Sequence, residues 1–327
     1  MEIIDTHCDA LLKLQSDYRE SYRSRERVLD FKDGENLDTS AEKLRKGGVK
    51  VQFFAIFIPP MLPDNEKWQH ALEQVDCFYN EVLAEEGFVH IRNFEEIDRL
   101  EEGEIGAVLA LEGADAVGND LMKLRTLFRL GVLSVGLTWN DTNLAADGVG
   151  EQRGAGLSKF GLELVECCNS HDILVDVSHL NPEGVDDVIG NADRVIATHS
   201  NARGVFDHRR NLYDEQIRAL IDKGGMVNIV FNPPFIKKGN PGIEDLFPHI
   251  DRIIELGGEH AIGLGSDFDG IGSYVGGLED AGDYQNLVEA LVQNYGEAFT
   301  ERITHLNFKE KFVKKDLSGT DPQKLEL

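Results

Sequence analysis

Cysteine is scarce. The chain has four in 327 residues, Cys8, Cys77, Cys167 and Cys168, and no C-x-x-C pair. Neither a disulfide framework nor a thiolate zinc site is indicated, and a reducing, cytoplasmic setting is the simplest expectation. Basic residues are also few: 33 Lys and Arg stand against 59 Asp and Glu, a formal net charge of -26 at pH 7. Such a chain repels phosphate backbones and anionic lipid at long range, so nucleic acid and membrane are set aside as partners. No apolar run approaches the ~20 residues a membrane helix needs, and no basic-then-apolar segment opens the chain, so neither anchor nor signal peptide is expected. Internal repeats, low-complexity tracts and composition breaks are lacking as well. One domain over residues 1–317 is therefore expected, with 318–327, which hold Ser318, Gly319 and Pro322 and little apolar content, as a disordered tail.

The hydrophobic content, 41%, is enough for a sizeable core, and the length suits either two domains or one large α/β barrel. Apolar runs alternate with helical spacing along the whole chain. Strands are expected at Ile3–Cys8, Lys50–Ile58, Gly106–Leu111, Val132–Trp139, Ile173–Val177, Val195–Thr198, Met226–Phe231 and Ala261–Gly265. Helices are expected near Glu66–Glu86, Asp120–Leu130, Leu157–Asn169, from Asn181-Pro182, Leu212–Lys223, Ile243–Leu256 and Tyr284–Asn294, and Thr300–Asp316 reads as a basic helical segment. Near-continuous apolar strands are those of a parallel sheet buried on both faces, and eight strand-helix units favour an α/β fold of the closed (β/α)8 TIM-barrel type. The polar stretch Gln15–Asn36 reads as a long excursion after the first strand. Residues 10–37, 140–156, 200–211, 232–242 and 268–283 form long loops at strand ends, where barrel enzymes carry their chemistry.

What stands at those ends is chemically coherent. The first strand runs into His7 and Asp9, the third into Glu112, the fifth into His179, the sixth into His199 and the eighth into Asp267. Taken singly, His179 and His199 would read as helix N-caps and Asp267 as a turn former before Asp269-Gly270. Taken together in one barrel mouth, three imidazoles and three carboxylates suit a borderline cation such as zinc, and Glu112 is the natural bridge between two ions. His70, His90, His171, His249, His260 and His305 fall on helices or opposite strand ends and read as structural or solvated. His208 stays open, and Asp269 reads as a turn residue.

The motifs HCDALL, LEGAD, LTW, DVSH, THSNARGV, RRNL and GLGSDFDG, in this order from about residue 3 to residue 295, resemble the membrane (renal) dipeptidase family of zinc metallopeptidases in the amidohydrolase superfamily. The resemblance implies two zinc ions, one held by His7, Asp9 and the bridging Glu112, the other by Glu112, His179 and His199. It implies that Asp267 handles the proton of the nucleophilic water and meets the substrate's amine, while Arg210 binds its carboxylate. An arginine fork suits that task, and a clamp with an acid at one end and an arginine at the other selects length as well as charge. The chain departs from the mammalian pattern where a histidine follows the Leu-Thr of the fourth strand: here Trp139 stands, a donor only and far bulkier. Either Trp139 is a pocket wall and Asn140 or Asn143 polarises the carbonyl, or the preferred substrate differs, L,D-dipeptides being the expected preference. The expected activity is hydrolysis of small dipeptides by metal-bound hydroxide. The alternatives are a barrel amidohydrolase acting on another small amide or lactone, or a binding protein that kept metals without turnover. The expected partner is a small dipeptide, with a homodimer as an open option.

Overall fold

The computed structural model describes residues 1–313. The expected tail and the end of the basic segment, residues 314–327, lie outside the described residues. Among the described residues nine strands run in chain order: β1 Ile3–Cys8, β2 Val49–Phe57, β3 Phe88–His90, β4 Ile105–Glu112, β5 Val132–Gly136, β6 Leu174–Asp176, β7 Val195–Ala197, β8 Met226–Ile229 and β9 Ile262–Leu264. All their pairings are parallel. β1 lies between β9 and β2, β2 pairs onward with β4, and β4 leads through β5, β6, β7 and β8 back to β9. Eight strands thus close a ring, as the alternating pattern predicts. β3 lies outside it, on the early part of β4 at Ile105–Ala107, while β5 takes the later part from Leu109.

Closure explains the composition of the strands. Every residue of β1, β4 and β5 is buried, because barrel side chains meet on the inside and helices cover the outside. The helices fall close to their expected positions, with caps that the local sequence supplies. Pro182 opens the helix Pro182–Asn191, and Asn181 Oδ1 accepts from Gly184 N at 2.9 Å. Asp120 and Ser158 cap Leu121–Arg129 and Lys159–Asn169 in the same way.

The polar excursion after β1 is corrected by the structure: Ala10–Ser24 is a helix. Its apolar stripe is confined to Ala10, Leu11 and Leu14, too short to reveal a period, and its outer half is held by polar contacts instead. Arg19 Nε donates to Glu73 Oε2 at 2.6 Å, Gln15 Nε2 to Glu73 at 2.8 Å and Arg27 Nε to Asp17 at 2.8 Å. Several expected strands also end earlier, β5 at Gly136 and β6 at Asp176, because the backbone leaves the ladder to aim side chains into the mouth.

The loop after β5 is organised by one buried acid. Asp147 accepts from Thr142 Oγ1 at 2.9 Å and from Ala155 N at 2.9 Å, and pairs with Arg153. The Arg153 guanidinium holds the Asp147 carboxyl at about 2, outweighing burial, which pushes the other way. A depressed folded pKa stabilises above the unfolded value of ~3.9 and loses that stabilisation as pH falls towards the folded one. Asp147→Asn is therefore expected to lower the urea midpoint near neutral pH, and its gap from wild type should close between about pH 4 and 2. Urea titrations across that range check it, and a gap that does not change with pH would show that the charge is not what holds the loop.

Candidate metal centre

Glu112 is the last residue of β4, paired with Phe57 of β2 and Gly136 of β5, which brings its carboxylate to the centre of the mouth. Its two oxygens face different groups. Oε1 is 3.0 Å from His179 Nε2 and 3.7 Å from His199 Nε2, whereas Oε2 is 3.6 Å from His7 Nε2. His7 Nε2 lies in turn 3.4 Å from Asp9 Oδ2 and 3.8 Å from Asp267 Oδ1. Donor atoms of His7, Asp9 and Glu112 lie within 4.8 Å of one another, as do those of Glu112, His179 and His199, and those of His7, His199 and Asp267. All six side chains are buried.

The supporting contacts decide which nitrogen faces inward. Thr198 Oγ1 is 2.5 Å from Asp176 Oδ2, which can only accept from it as a carboxylate, and 2.8 Å from His199 Nδ1. The hydroxyl thus donates to Asp176 and accepts from Nδ1–H, leaving the His199 Nε2 lone pair aimed at the cluster. His179 Nδ1 meets Asn140 Oδ1 at 2.9 Å, so the same logic turns its Nε2 lone pair towards Glu112. Burial, reinforced by the Arg210 and His7 charges, pushes both imidazoles well below their ordinary pKa and keeps them neutral.

Lone pairs facing carboxylate oxygens repel unless a proton or a metal cation lies between them. The orphaned atoms point the same way: His7 Nε2, His199 Nε2 and Asp9 Oδ1 are buried without a hydrogen-bond partner. The field agrees, since burial disfavours a charged His7 yet Glu112, Asp9 and Asp267 raise it to about 10. Burial, and then the neighbouring Asp9, drives Glu112 well above the usual carboxylate range. The donor set fits divalent cations.

The cluster opens onto a cavity of about 210 Å³ walled by Leu12, Phe57, Trp139 and Phe235, with Asp9, Asn232 and Asp267 among its polar lining. Trp139 stands 5.4 Å from Phe57 and 6.0 Å from His179 between ring centroids. Asn140 also lines this cavity. Asn143 does not, being engaged with Asp115 at 3.1 Å and Leu137 O at 2.7 Å. Arg210 does not line this cavity; it is buried near enough for its charge to act on His179, His199 and Asp267, and it lies 5.3 Å over the Phe235 ring, with Nη2 on His199 O at 3.3 Å and Nε unpaired. His208 stacks on the same phenyl ring at 4.7 Å. A larger cavity of about 580 Å³ flanks Ala114–Ala116 and holds none of the six clustered residues.

Sequence reasoning missed Asp176, Thr198 and Gly270. A carboxylate that ends the apolar run of β6 and a hydroxyl directly after that of β7 were the available signal for the first two. For Gly270 it was only a glycine after Asp269, yet a Cβ there would lie 2.2 Å from Asp9 Oδ2.

A parallel eight-stranded barrel whose mouth gathers three imidazoles and three acids around inward-facing lone pairs is built to hold divalent cations. The family model for membrane dipeptidase, peptidase family M19, matches residues 1–313, and the chain belongs to that family of metallopeptidases. An uncharacterized dipeptidase of Schizosaccharomyces pombe is 33% identical over 323 residues, covering 89% of this chain and 74% of its own length. The crystal structure of dipeptidase AC, a metallo peptidase of family M19, is 29% identical with a TM-score of 0.86 over 96% of this chain and 99% of that one. A metallo peptidase from Rhodobacter sphaeroides, liganded with a phosphinate mimic of the dipeptide L-Ala-D-Ala, is 28% identical with a TM-score of 0.86, covering 95% of this chain and 99% of its own.

The hydroxyl relay to His199 yields a prediction. Thr198→Val removes the acceptor of Nδ1–H, and loss of such outer contacts weakens metal binding by ~10–100-fold. Titration of the protein with a divalent cation measures it, and unchanged affinity would show that the relay does not orient His199.

Proposed function

We propose that the protein is a two-zinc dipeptidase that cleaves the peptide bond of small dipeptides. The observation that carries the two-ion reading is the divided carboxylate of Glu112, one oxygen towards His7 and the other towards His179 and His199. One ion would be held by His7, Asp9 and Glu112, the other by Glu112, His179 and His199. Imidazole and carboxylate donors without thiolate suit zinc. Such ions supply Lewis acidity towards a carbonyl oxygen and lower the pKa of water.

The remaining roles belong to the chain itself. Asp267 stands at the mouth to take the proton of the attacking water and to face the substrate's ammonium, with Asn232 Nδ2 3.5 Å from its Oδ2. Arg210 reads the carboxylate, its unpaired Nε being free for one arm of a bidentate contact. Asn140 acts by holding His179 as well as lining the cavity. Trp139 and Phe57 form the wall beside the scissile bond and keep water out. A cavity of about 210 Å³ lies under the range of drug-sized sites, which favours small side chains. An indole where the family resemblance leads one to expect an imidazole should bias the wall towards L,D-dipeptides. The L,D mimic bound to the Rhodobacter sphaeroides relative supports that preference. A cytoplasmic setting belongs to the same reading: all four cysteines are buried and unpaired, and no helix among the described residues is long and apolar enough to cross a membrane.

Metal-replete protein is expected to hydrolyse L-Ala-D-Ala and L-Ala-L-Ala, with the L,D form preferred. Arg210→Ala should mainly raise KM for these dipeptides, by ~10–100-fold for a lost charge-assisted pair, while barely changing turnover of an amidated dipeptide. Steady-state kinetics on the paired substrates check this. Equal losses on both would remove Arg210 from carboxylate recognition, and wild-type turnover of lactones but not dipeptides would overturn the dipeptidase reading.

A further inference from the structure

The segment Ser266–Gly270 is held from two sides. On one it is laced to β1: Ser266 Oγ donates to Asp5 Oδ2 at 2.7 Å, Asp267 N to His7 O at 3.2 Å, and Asp9 N to Phe268 O at 2.9 Å. On the other, the buried side chain of Asp269 accepts four donors from another layer of the protein. Its Oδ1 takes Lys13 Nζ at 2.8 Å and Asp38 N at 2.8 Å, and its Oδ2 takes Thr39 N at 3.1 Å and Thr39 Oγ1 at 2.5 Å. The pairing is reciprocal, because Asp269 N donates to Asp38 Oδ2 at 2.8 Å, an acid that also accepts from the Tyr274 hydroxyl at 3.1 Å.

Between these two attachments the backbone takes an unfavourable course. Asp267 has φ 65° and Asp269 φ 68°, left-handed conformations that persist only where the surroundings hold them. Gly270 follows, and a Cβ there would lie 2.2 Å from Asp9 Oδ2 and 2.9 Å from Asp267 Oδ1. The turn is thus the floor against which both carboxylates rest.

We propose that Asp269 is a positioning residue, whose four-donor anchor holds the left-handed turn so that Asp267 and Asp9 are set together at the mouth. Asp269 borders the cavity beside Gly270 but belongs to none of the donor groups, its carboxylate is taken up by its four donors, and it acts through the turn. A carboxylate is required because an amide offers one acceptor oxygen and would aim its own N–H groups at donors. Asparagine tolerates the left-handed region, so Asp269→Asn tests the anchor without testing φ. The kinetic arm rests on the dipeptidase reading, and the metal-binding arm does not.

The experiment compares metal-replete wild type, Asp269→Asn and Asp38→Asn for dipeptide kinetics, metal titration and thermal midpoint. Asp38→Asn keeps an oxygen for Asp269 N. Asp269→Asn is expected to lose kcat by on the order of 10²-fold with KM nearly unchanged, and to bind one of its cations ~10-fold more weakly. Asp38→Asn should stay within about 3-fold of wild type on both counts. Wild-type kcat and metal affinity in Asp269→Asn, with only a lowered thermal midpoint, would overturn the proposal, as would equal impairment of the two variants. Should Asp269→Asn fail to fold, Thr39→Val removes a single contact and is expected to lower kcat by ~3–10-fold, and an unchanged kcat overturns the proposal. Wild type without dipeptide turnover would sink the functional reading alone, and the metal titration would then decide the role of Asp269.

Discussion

The constraint on which the rest of this structure depends is the crowding of Glu112, Asp9 and Asp267 around His7 and two neutral imidazoles in a buried mouth. Burial and the neighbouring Asp9 raise the pKa of Glu112 and of Asp267, and an uncompensated buried charge is among the most destabilising features a fold can carry. The same crowding becomes favourable when divalent cations are present. Glu112 divides its oxygens between His7 on one side and His179 and His199 on the other, and the proposal of two ions rather than one rests on that division. The orphaned nitrogens and the outward-bonded Nδ1 atoms then follow as consequences.

The barrel supplies what such a cluster needs, fixed points from distant parts of the chain. β1 carries His7, β4 ends on Glu112, and His179, His199 and Asp267 stand just past β6, β7 and β9. The barrel's rigidity has to extend into the loops, where the backbone is least favourable. His179, Asp267 and Asp269 all adopt positive φ, and each is held by side-chain contacts from another element: Asn140, Asn232, and the Lys13, Asp38 and Thr39 group. Strain collects where the chemistry is placed, and the supporting contacts offset it.

Much of this was legible in the sequence, for identifiable reasons. Parallel strands buried on both faces read as apolar runs, so the strands from Val49–Phe57 to Ile262–Leu264 could be ordered from pattern alone, save for the three-residue β3. The six clustered residues were legible because each follows such a run directly. The helix Ala10–Ser24 was not, since only Ala10, Leu11 and Leu14 face the core near its start and ion pairs across to Glu73 hold the rest. Asp176 and Thr198 were missed because their importance lies in a three-residue relay from the end of β6 to the segment just past β7, which no linear spacing expresses. Asp269 read as a turn former, and it does form the turn. That its carboxylate meets Lys13, Asp38 and Thr39, more than 200 positions away, could be seen only once the barrel had closed.

The divided carboxylate is tested most directly by counting metal. Elemental analysis of wild type and Glu112→Ala, each saturated with zinc and then desalted, should give about two ions for wild type and a loss of more than one for the variant, because a bridge serves both sites. Wild-type occupancy in Glu112→Ala, or the loss of one ion with the other bound at full strength, would contradict the account.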